Sequence, residues 1–103
     1  MIFESGKDIE YDIKNKISYY LKNNEDVNLK TLSSLLSVYL LELKNIGEVN
    51  KFDVTSPGKG TFFTVFFIKD NIDFYFNISL VIEMRNIKIE KIKSNKIIYF
   101  EIL

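Results

Sequence analysis

The chain has 103 residues, 47% of them hydrophobic and 15% aromatic, which is enough for one domain with its own core. Its 14 basic and 14 acidic residues cancel, so no global charge draws it toward nucleic acid or an anionic membrane. Because Cys and His are absent, disulfides, thiol nucleophiles and the commonest general base are excluded, and the usual transition-metal ligands are missing. We therefore expect no enzyme, no metal site and no cofactor.

The composition also bears on the source and the compartment. The chain has 15 Ile, 13 Lys and 10 Asn but no Ala and one Arg, which is typical of an AT-rich genome such as that of a low-GC bacterium or its phage. No stretch reaches the roughly 18 apolar residues of a membrane span, and the first residues lack the features of a signal peptide. We expect a cytoplasmic protein with no membrane partner, which later enters the virion if a phage encodes it.

Residues 5–46 are predicted to form a pair of helices. The first begins at Ser5, which is spaced from Asp8 as in a capping box, and its apolar residues follow the helical repeat as far as Leu21. The polar run 23–26 ends this helix. The pattern predicts an amphipathic helix with one apolar stripe.

The second helix is predicted to run from the residue after Asn28 to Ile46, with Gly47 as its C-terminal cap. Its main stripe consists of leucines, and Val38 and Leu41 widen that stripe beyond one face. This helix is therefore predicted to be buried between the sheet and a second element, either the first helix or a partner.

Residues 48–103 are predicted to form an antiparallel sheet. Turn signals at Asp70-Asn71, Arg85-Asn86 and Ser94-Asn95 and a Pro-Gly loop at 56–60 separate the apolar runs. The predicted strands are 49–55, 61–69, 72–84, 87–93 and 96–102. We thus expect a single α+β domain, 1–103, with two N-terminal helices packed on one face of an antiparallel meander of about five strands.

Two of the predicted strands differ in their patterns. The strand over 72–84 alternates apolar with mostly polar residues, which indicates one buried face. The strand over 61–69 is apolar on both faces, with Phe63, Val65 and Phe67 on one and Phe62, Phe66 and Ile68 on the other. Either the sheet curls on itself, or apolar surface remains for a partner. We predict a homo- or hetero-oligomer whose hydrophobic contacts come from Leu36, Leu40, Leu41, Phe62 and Phe66.

The other polar residues predict no catalytic or cation site. Asp70 and Asp73 flank a hairpin, where we expect the first to make the turn and the second to face solvent. Glu25 and Asp26 are adjacent but lack the ligand spacing of a calcium loop. The loop at 57–60 lacks the spacing of a phosphate-binding loop and precedes a strand instead of a helix.

A local excess of basic residues lies near the C-terminal hairpin. The candidate basic patch consists of Lys59, Arg85, Lys88, Lys91 and Lys93. Beside Tyr99 and Phe100, such a patch is able to bind nucleic acid through phosphate contacts and base stacking. The alternative is that the lysines protect an exposed edge strand from aggregation, and we favour this alternative.

The order of elements over residues 8–55 is helix, acidic loop, Leu-rich helix, Gly and strand. It includes the segments 13–21, 27–32 and 43–54, in which Glu48 lies between the Gly and the Val. This order, over about half the chain, resembles the αα-β modules of bacteriophage baseplate and tail-assembly proteins. The resemblance implies a non-enzymatic structural subunit of a phage tail or baseplate that acts through protein contacts.

Two alternative functions remain open. The same segment also resembles a winged-helix DNA-binding domain, with Gly58-Lys59-Gly60 at the tip of the wing. A winged helix needs a third helix, and residues 29–46 contain no turn signal that would divide them. The second alternative is a small phage or plasmid inhibitor of a host protein, which acts by shape and needs no catalytic residues.

Overall fold

The computed structural model describes residues 6–56, 60–81 and 86–103, which form two helices followed by a five-stranded antiparallel sheet. The helices are α1 (Gly6–Asn23) and α2 (Leu29–Asn45). The strands are β1 (Lys51–Val54), β2 (Phe62–Lys69), β3 (Ile72–Leu80), β4 (Ile87–Lys93) and β5 (Lys96–Ile102). Their order in the sheet is β1-β2-β3-β4-β5, so each strand pairs with the next one in sequence. The predicted α+β fold with its meander is confirmed.

Local sequence signals set the ends of α2. The side chain of Asn28 accepts a hydrogen bond from the Thr31 N–H at 3.1 Å and so caps the first turn. Gly47 has a φ of +83°, and its N–H donates to the Lys44 carbonyl, which closes the last turn. α2 begins where the sequence predicts and ends at Asn45, one residue before the predicted Ile46, which forms the C-cap. The predicted cap of the first helix at Ser5 lies outside the described residues.

Two tight turns connect β2 to β3 and β4 to β5. Asp70 and Asn71 have φ values of +52° and +64°, and Ser94 and Asn95 have φ values of +53° and +61°. Two consecutive residues with positive φ make a type I′ turn, whose twist matches that of the flanking strands. The predicted hairpins are therefore confirmed at both positions.

Three strands are shorter than predicted: β2 begins one residue later, at Phe62, and β1 and β3 lose more. The N–H of Val49 donates to the Leu43 carbonyl at the end of α2, so this residue finishes the helix cap and precedes β1. β3 ends at Leu80, and residues 82–85, which include part of the predicted strand and turn, lie outside the described part of the chain.

The hydrophobic core lies between the two helices and one face of the sheet. It joins Ile9, Ile13 and Ile17 of α1, Leu32, Leu36 and Leu40 of α2, and Phe63, Val65, Phe67, Phe76, Ile78 and Ile89 of the sheet. Leu36 and Leu40 are both 0% exposed. Their predicted role as contact residues for a partner is therefore wrong, because the main leucine stripe of α2 faces the sheet of the same chain.

Ion pairs fix the position of α1 over β4 and β5. Lys14 Nζ lies 2.9 Å from Glu101 Oε2, and Lys91 is paired with Glu10. α2 in turn contacts β1 and β2. The two helices thus share one face of the sheet and leave the opposite face without a layer from the described residues.

A buried lysine marks the β2 edge of the core. Lys69 is 6% exposed, and its Nζ donates to the Glu48 carbonyl at 3.0 Å and pairs with Glu48 Oε2 at 3.2 Å. A buried ammonium group needs such partners because its desolvation is costly. Strand alternation places Lys69 on the same face as Phe67, but the sequence does not show that Glu48 supplies its partners.

Candidate functional site

The sheet face opposite the helices is the candidate functional surface, and we name it the outer face. Along each strand its residues alternate with the core residues. The outer face consists of Phe62, Thr64, Phe66, Ile68, Asp73, Tyr75, Asn77, Ser79, Lys88, Glu90, Ile92, Phe100 and Ile102, with Lys51 and Asp53 at the β1 edge. β1 and β5 lie at opposite edges of the sheet, so the sheet remains open and this face stays accessible.

Large apolar side chains are exposed on the outer face. Phe62, Tyr75, Phe100 and Ile102 have exposed fractions of 52%, 39%, 61% and 52%. Phe66 is opposite Tyr75 in the register, and their ring centroids are 6.3 Å apart. The solvated face of an antiparallel sheet is ordinarily polar, so aromatic residues from three of its strands form an exception to that rule.

A polar row crosses the middle of the outer face. Asn77 Nδ2 donates to Glu90 Oε1 at 3.2 Å, and Lys88 Nζ lies 3.8 Å from Glu90 Oε2. At the β1 end of the row, the hydroxyl groups of Thr55 and Thr64 are 3.0 Å apart. These polar groups already satisfy one another, so the row gives the face a fixed pattern without leaving a strong unpaired charge at its centre.

Comparisons with protein families, with curated proteins and with solved structures found no match for this chain. Neither helix in the described part of the chain has the length and apolar character that a membrane crossing requires. Among the described residues, no group of three or more acidic side chains is arranged to hold a metal ion.

The structure separates the predicted hydrophobic contact residues. Phe62 and Phe66 lie on the outer face, whereas Leu41 is 47% exposed on the solvent side of α2. Tyr75, Phe100 and Ile102, which the sequence analysis does not name as contact residues, join Phe62 and Phe66 on the outer face. Each of these residues alternates along its strand with residues that face the core, and this alternation is the sequence signal that places it on the outer face.

The predicted basic patch is also divided. Lys59 and Arg85 lie outside the described residues. Lys88 is on the outer face, whereas Lys91 is on the inner face, where it is paired with Glu10 and lies 5.1 Å from the Phe74 ring centroid. Strand alternation places Lys93 with Lys91, so the described lysines do not form one patch.

Tyr39 links the two helices on the opposite side of the molecule. Its Oη donates to Asp12 Oδ2 at 2.9 Å, and Lys16 Nζ lies 4.6 Å from its ring centroid. Burial raises the pKa of Tyr39 above its ordinary value of 10.0, and the hydrogen bond to Asp12 raises it further. This phenol therefore stays protonated at neutral pH and acts as a structural hydrogen-bond donor.

We expect this link to weaken above about pH 10. The pKa of Tyr39 is higher in the folded state than in the unfolded state, so the unfolded chain loses this proton first as the pH rises. The contribution of Tyr39 to stability is therefore complete below the unfolded pKa of 10.0. It is lost as the pH rises toward the folded pKa. Tyr39→Phe should cost about 1 kcal/mol at neutral pH, and the difference should shrink in urea unfolding above pH 10.

Tyr19→Phe is the matched control, because Tyr19 lies on the same helical surface and is 71% exposed. It should change neither the stability at neutral pH nor the loss of stability at high pH. An equal effect of the two substitutions on the pH dependence would contradict the assignment to Tyr39.

Proposed function

We propose that the protein is a non-enzymatic subunit that binds another protein through its outer face. One observation carries this proposal: Phe62, Phe66, Tyr75 and Phe100 lie on an open sheet face that no described element covers. Aromatic side chains are enriched in protein interfaces, where they bury a large area with little loss of side-chain freedom. The polar row beside them supplies groups that fix the register of a partner.

The charges of the outer face favour a protein over nucleic acid. Lys88 is paired with Glu90, and Asp53 and Asp73 add two further carboxylates, whereas the other lysine assigned to this face is Lys51. A phosphate backbone requires several unpaired basic groups along one surface. The described residues contain two helices, and a winged-helix domain requires three.

The finer proposal is that the protein belongs to a phage tail or baseplate. It is supported by the αα-β order of residues 8–55 and by a composition typical of AT-rich genomes. The resemblance implies a subunit that acts through protein contacts and has no active site, which suits this surface. A small phage or plasmid inhibitor of a host protein would use the same surface to cover its target. The identity of the bound partner distinguishes these functions, because a virion subunit binds other virion proteins and an inhibitor binds a host protein.

The test is the double substitution Phe66→Thr with Tyr75→Thr, which removes both rings while keeping residues that favour strands. We expect the wild-type protein to bind an apolar dye in its native state and to retain its partner during purification from its natural source. The double variant should lose both properties while its thermal unfolding changes little, because both side chains are part-exposed or exposed.

Leu41→Gln is the matched control, since Leu41 is an exposed apolar residue on α2, away from the outer face. It should leave dye binding and partner retention unchanged. A wild-type protein that binds no dye and purifies alone would contradict the proposed function, and so would a partner that the double variant retains.

A further inference from the structure

The two edges of the sheet differ in how they are protected. β1 has four residues and exposes Lys51 and Asp53, which is the usual protection of an edge strand. β5 has seven residues and exposes its apolar side chains, with fractions of 58%, 50%, 61% and 52% for Ile97, Ile98, Phe100 and Ile102. No other strand in the described part of the chain pairs with the free side of β5.

The hydrogen bonds of the β4-β5 pair show which backbone groups of β5 are free. Ile87 and Leu103 exchange both backbone hydrogen bonds, at 3.3 and 2.8 Å. In an antiparallel pair such residues alternate with residues whose N–H and C=O groups point away from the partner strand. Counting back from Leu103, Phe100 and Ile102 direct their backbone donors and acceptors to the free edge.

We propose that β5 pairs with β5 of a second copy of this chain, antiparallel and about a two-fold axis at Phe100. Phe100 then lies opposite its own counterpart, and the free N–H and C=O groups of the two residues bond to each other. Ile102 lies opposite Ile98 of the second copy, the residue that the bulge leaves without a partner on β4, so apolar side chains meet on both sides of the axis. The two sheets become one continuous sheet of ten strands.

Charge and the β-bulge favour a two-fold axis at Phe100 over an axis one residue to either side. The one charged residue in the paired segment 98–102 is Glu101, and here it lies opposite the neutral Tyr99 of the second copy. An axis at Glu101 would set two carboxylates directly opposite each other, which is destabilising. An axis at Tyr99 would bring Glu101 opposite Ile97, which lies beyond the bulge between Lys91 and Ile92 and faces the other side of the sheet.

A second copy is the occupant that this edge fits, because the segment complements itself under a two-fold rotation. Closed two-fold pairing also ends the assembly at two chains, since the opposite edge at β1 is short and charged. The pairing uses the backbone of β5, while the rings of Phe62, Phe66 and Tyr75 remain free for another protein, so Phe100 and Ile102 are the outer-face residues that both contacts share.

The first test measures solution mass by light scattering over a range of concentrations. The wild-type chain should reach twice its monomer mass of 12.1 kDa. Phe100→Lys places two like charges on the axis and should raise the dissociation constant by at least about tenfold. Its fold should persist because the Phe100 side chain is 61% exposed. Phe62→Lys, at a comparably exposed position on an inner strand, should leave the dimer intact.

The second test is cross-linking, which the absence of native Cys makes specific. Directly opposed residues in a hydrogen-bonded antiparallel pair have Cα atoms about 5.5 Å apart, within the range of roughly 4.4–6.8 Å for a disulfide. Phe100→Cys should therefore give a covalent dimer on mild oxidation, whereas Phe62→Cys should not. If Phe100→Lys fails to fold, Ile102→Lys serves as the second edge variant.

The proposal is overturned if the wild-type chain stays monomeric at every concentration. It is also overturned if folded edge variants still dimerise, or if the two Cys variants cross-link equally fast. The failure of the proposed function has a different signature. In that case the Phe66→Thr and Tyr75→Thr double variant keeps its partner, whatever its dimerisation, while the cross-linking of Phe100→Cys reports on the dimer.

Discussion

Phe67→Ala is expected to lower the free energy of unfolding by about 3–5 kcal/mol, the largest effect of any single substitution considered. Phe67 is fully buried at the centre of β2. Its ring stacks on Phe74 with centroids 4.8 Å apart and lies 6.2 Å from Phe76. Truncation removes the buried ring and leaves a cavity that the neighbouring rings, held on a hydrogen-bonded sheet, fill only in part.

The control for this prediction is Phe62→Ala on the same strand. Phe62 points to the outer face and is 52% exposed, so its loss should cost less than about 1 kcal/mol. Urea unfolding measures both, and the midpoint should shift with little change in slope. Equal costs for the two substitutions would contradict the assignment of Phe67 to the core and Phe62 to the outer face. A register shift of one residue in β2 would exchange the two faces.

The second large effect is expected at the ion pair between Lys91 and Glu10. Their side chains are 21% and 12% exposed, and the pair joins α1 to β4 across most of the chain's length. Removing one partner leaves the other charge largely desolvated, so Lys91→Met and Glu10→Met should each cost about 2–3 kcal/mol. The double variant should cost less than either single variant, because no charge is left unpaired.

The control for this double-mutant cycle is the ion pair of Lys14 and Glu101, which joins α1 to β5. Its side chains are more exposed, at 29% and 41%, so Lys14→Met should cost less than about 1 kcal/mol. Urea unfolding of Lys91→Met, Glu10→Met and the double variant gives the coupling energy of this pair, and Lys14→Met is measured beside them. Strictly additive costs for Lys91→Met and Glu10→Met would show that α1 does not lie over β4 as described.

Local signals in the sequence were sufficient for the turns and the strand faces. Asp70-Asn71 and Ser94-Asn95 are residues that tolerate positive φ, and each stands between two apolar runs, so the hairpins and their register follow. The alternation in β3 then identifies the core face, and the hairpin register extends that assignment to β2, whose own pattern is apolar on both faces. The helix caps at Asn28 and Gly47 depend on neighbouring residues alone and were predictable for the same reason.

Features that depend on tertiary contacts were not predictable. The stripe of α2 is wide, and the sequence cannot show which part of it meets the sheet, so Leu36 and Leu40 were assigned to a partner although they are core. The separation of Lys88 from Lys91 is different, because strand alternation alone puts residues three apart on opposite faces, whereas the pairing of Lys91 with Glu10 depends on the docking of α1. The outer face was predicted in part through Phe62 and Phe66.

The order of the strands also determines how the chain reaches this structure. Every strand pairs with its neighbour in sequence, so the entropy lost in closing each loop is small, and contacts of low sequence separation are associated with rapid folding. Phe67 and Phe74 meet directly across the Asp70-Asn71 turn, so one hairpin already contains the first aromatic cluster of the core. That hairpin is suited to act as the nucleus onto which the outer strands add and the helices dock.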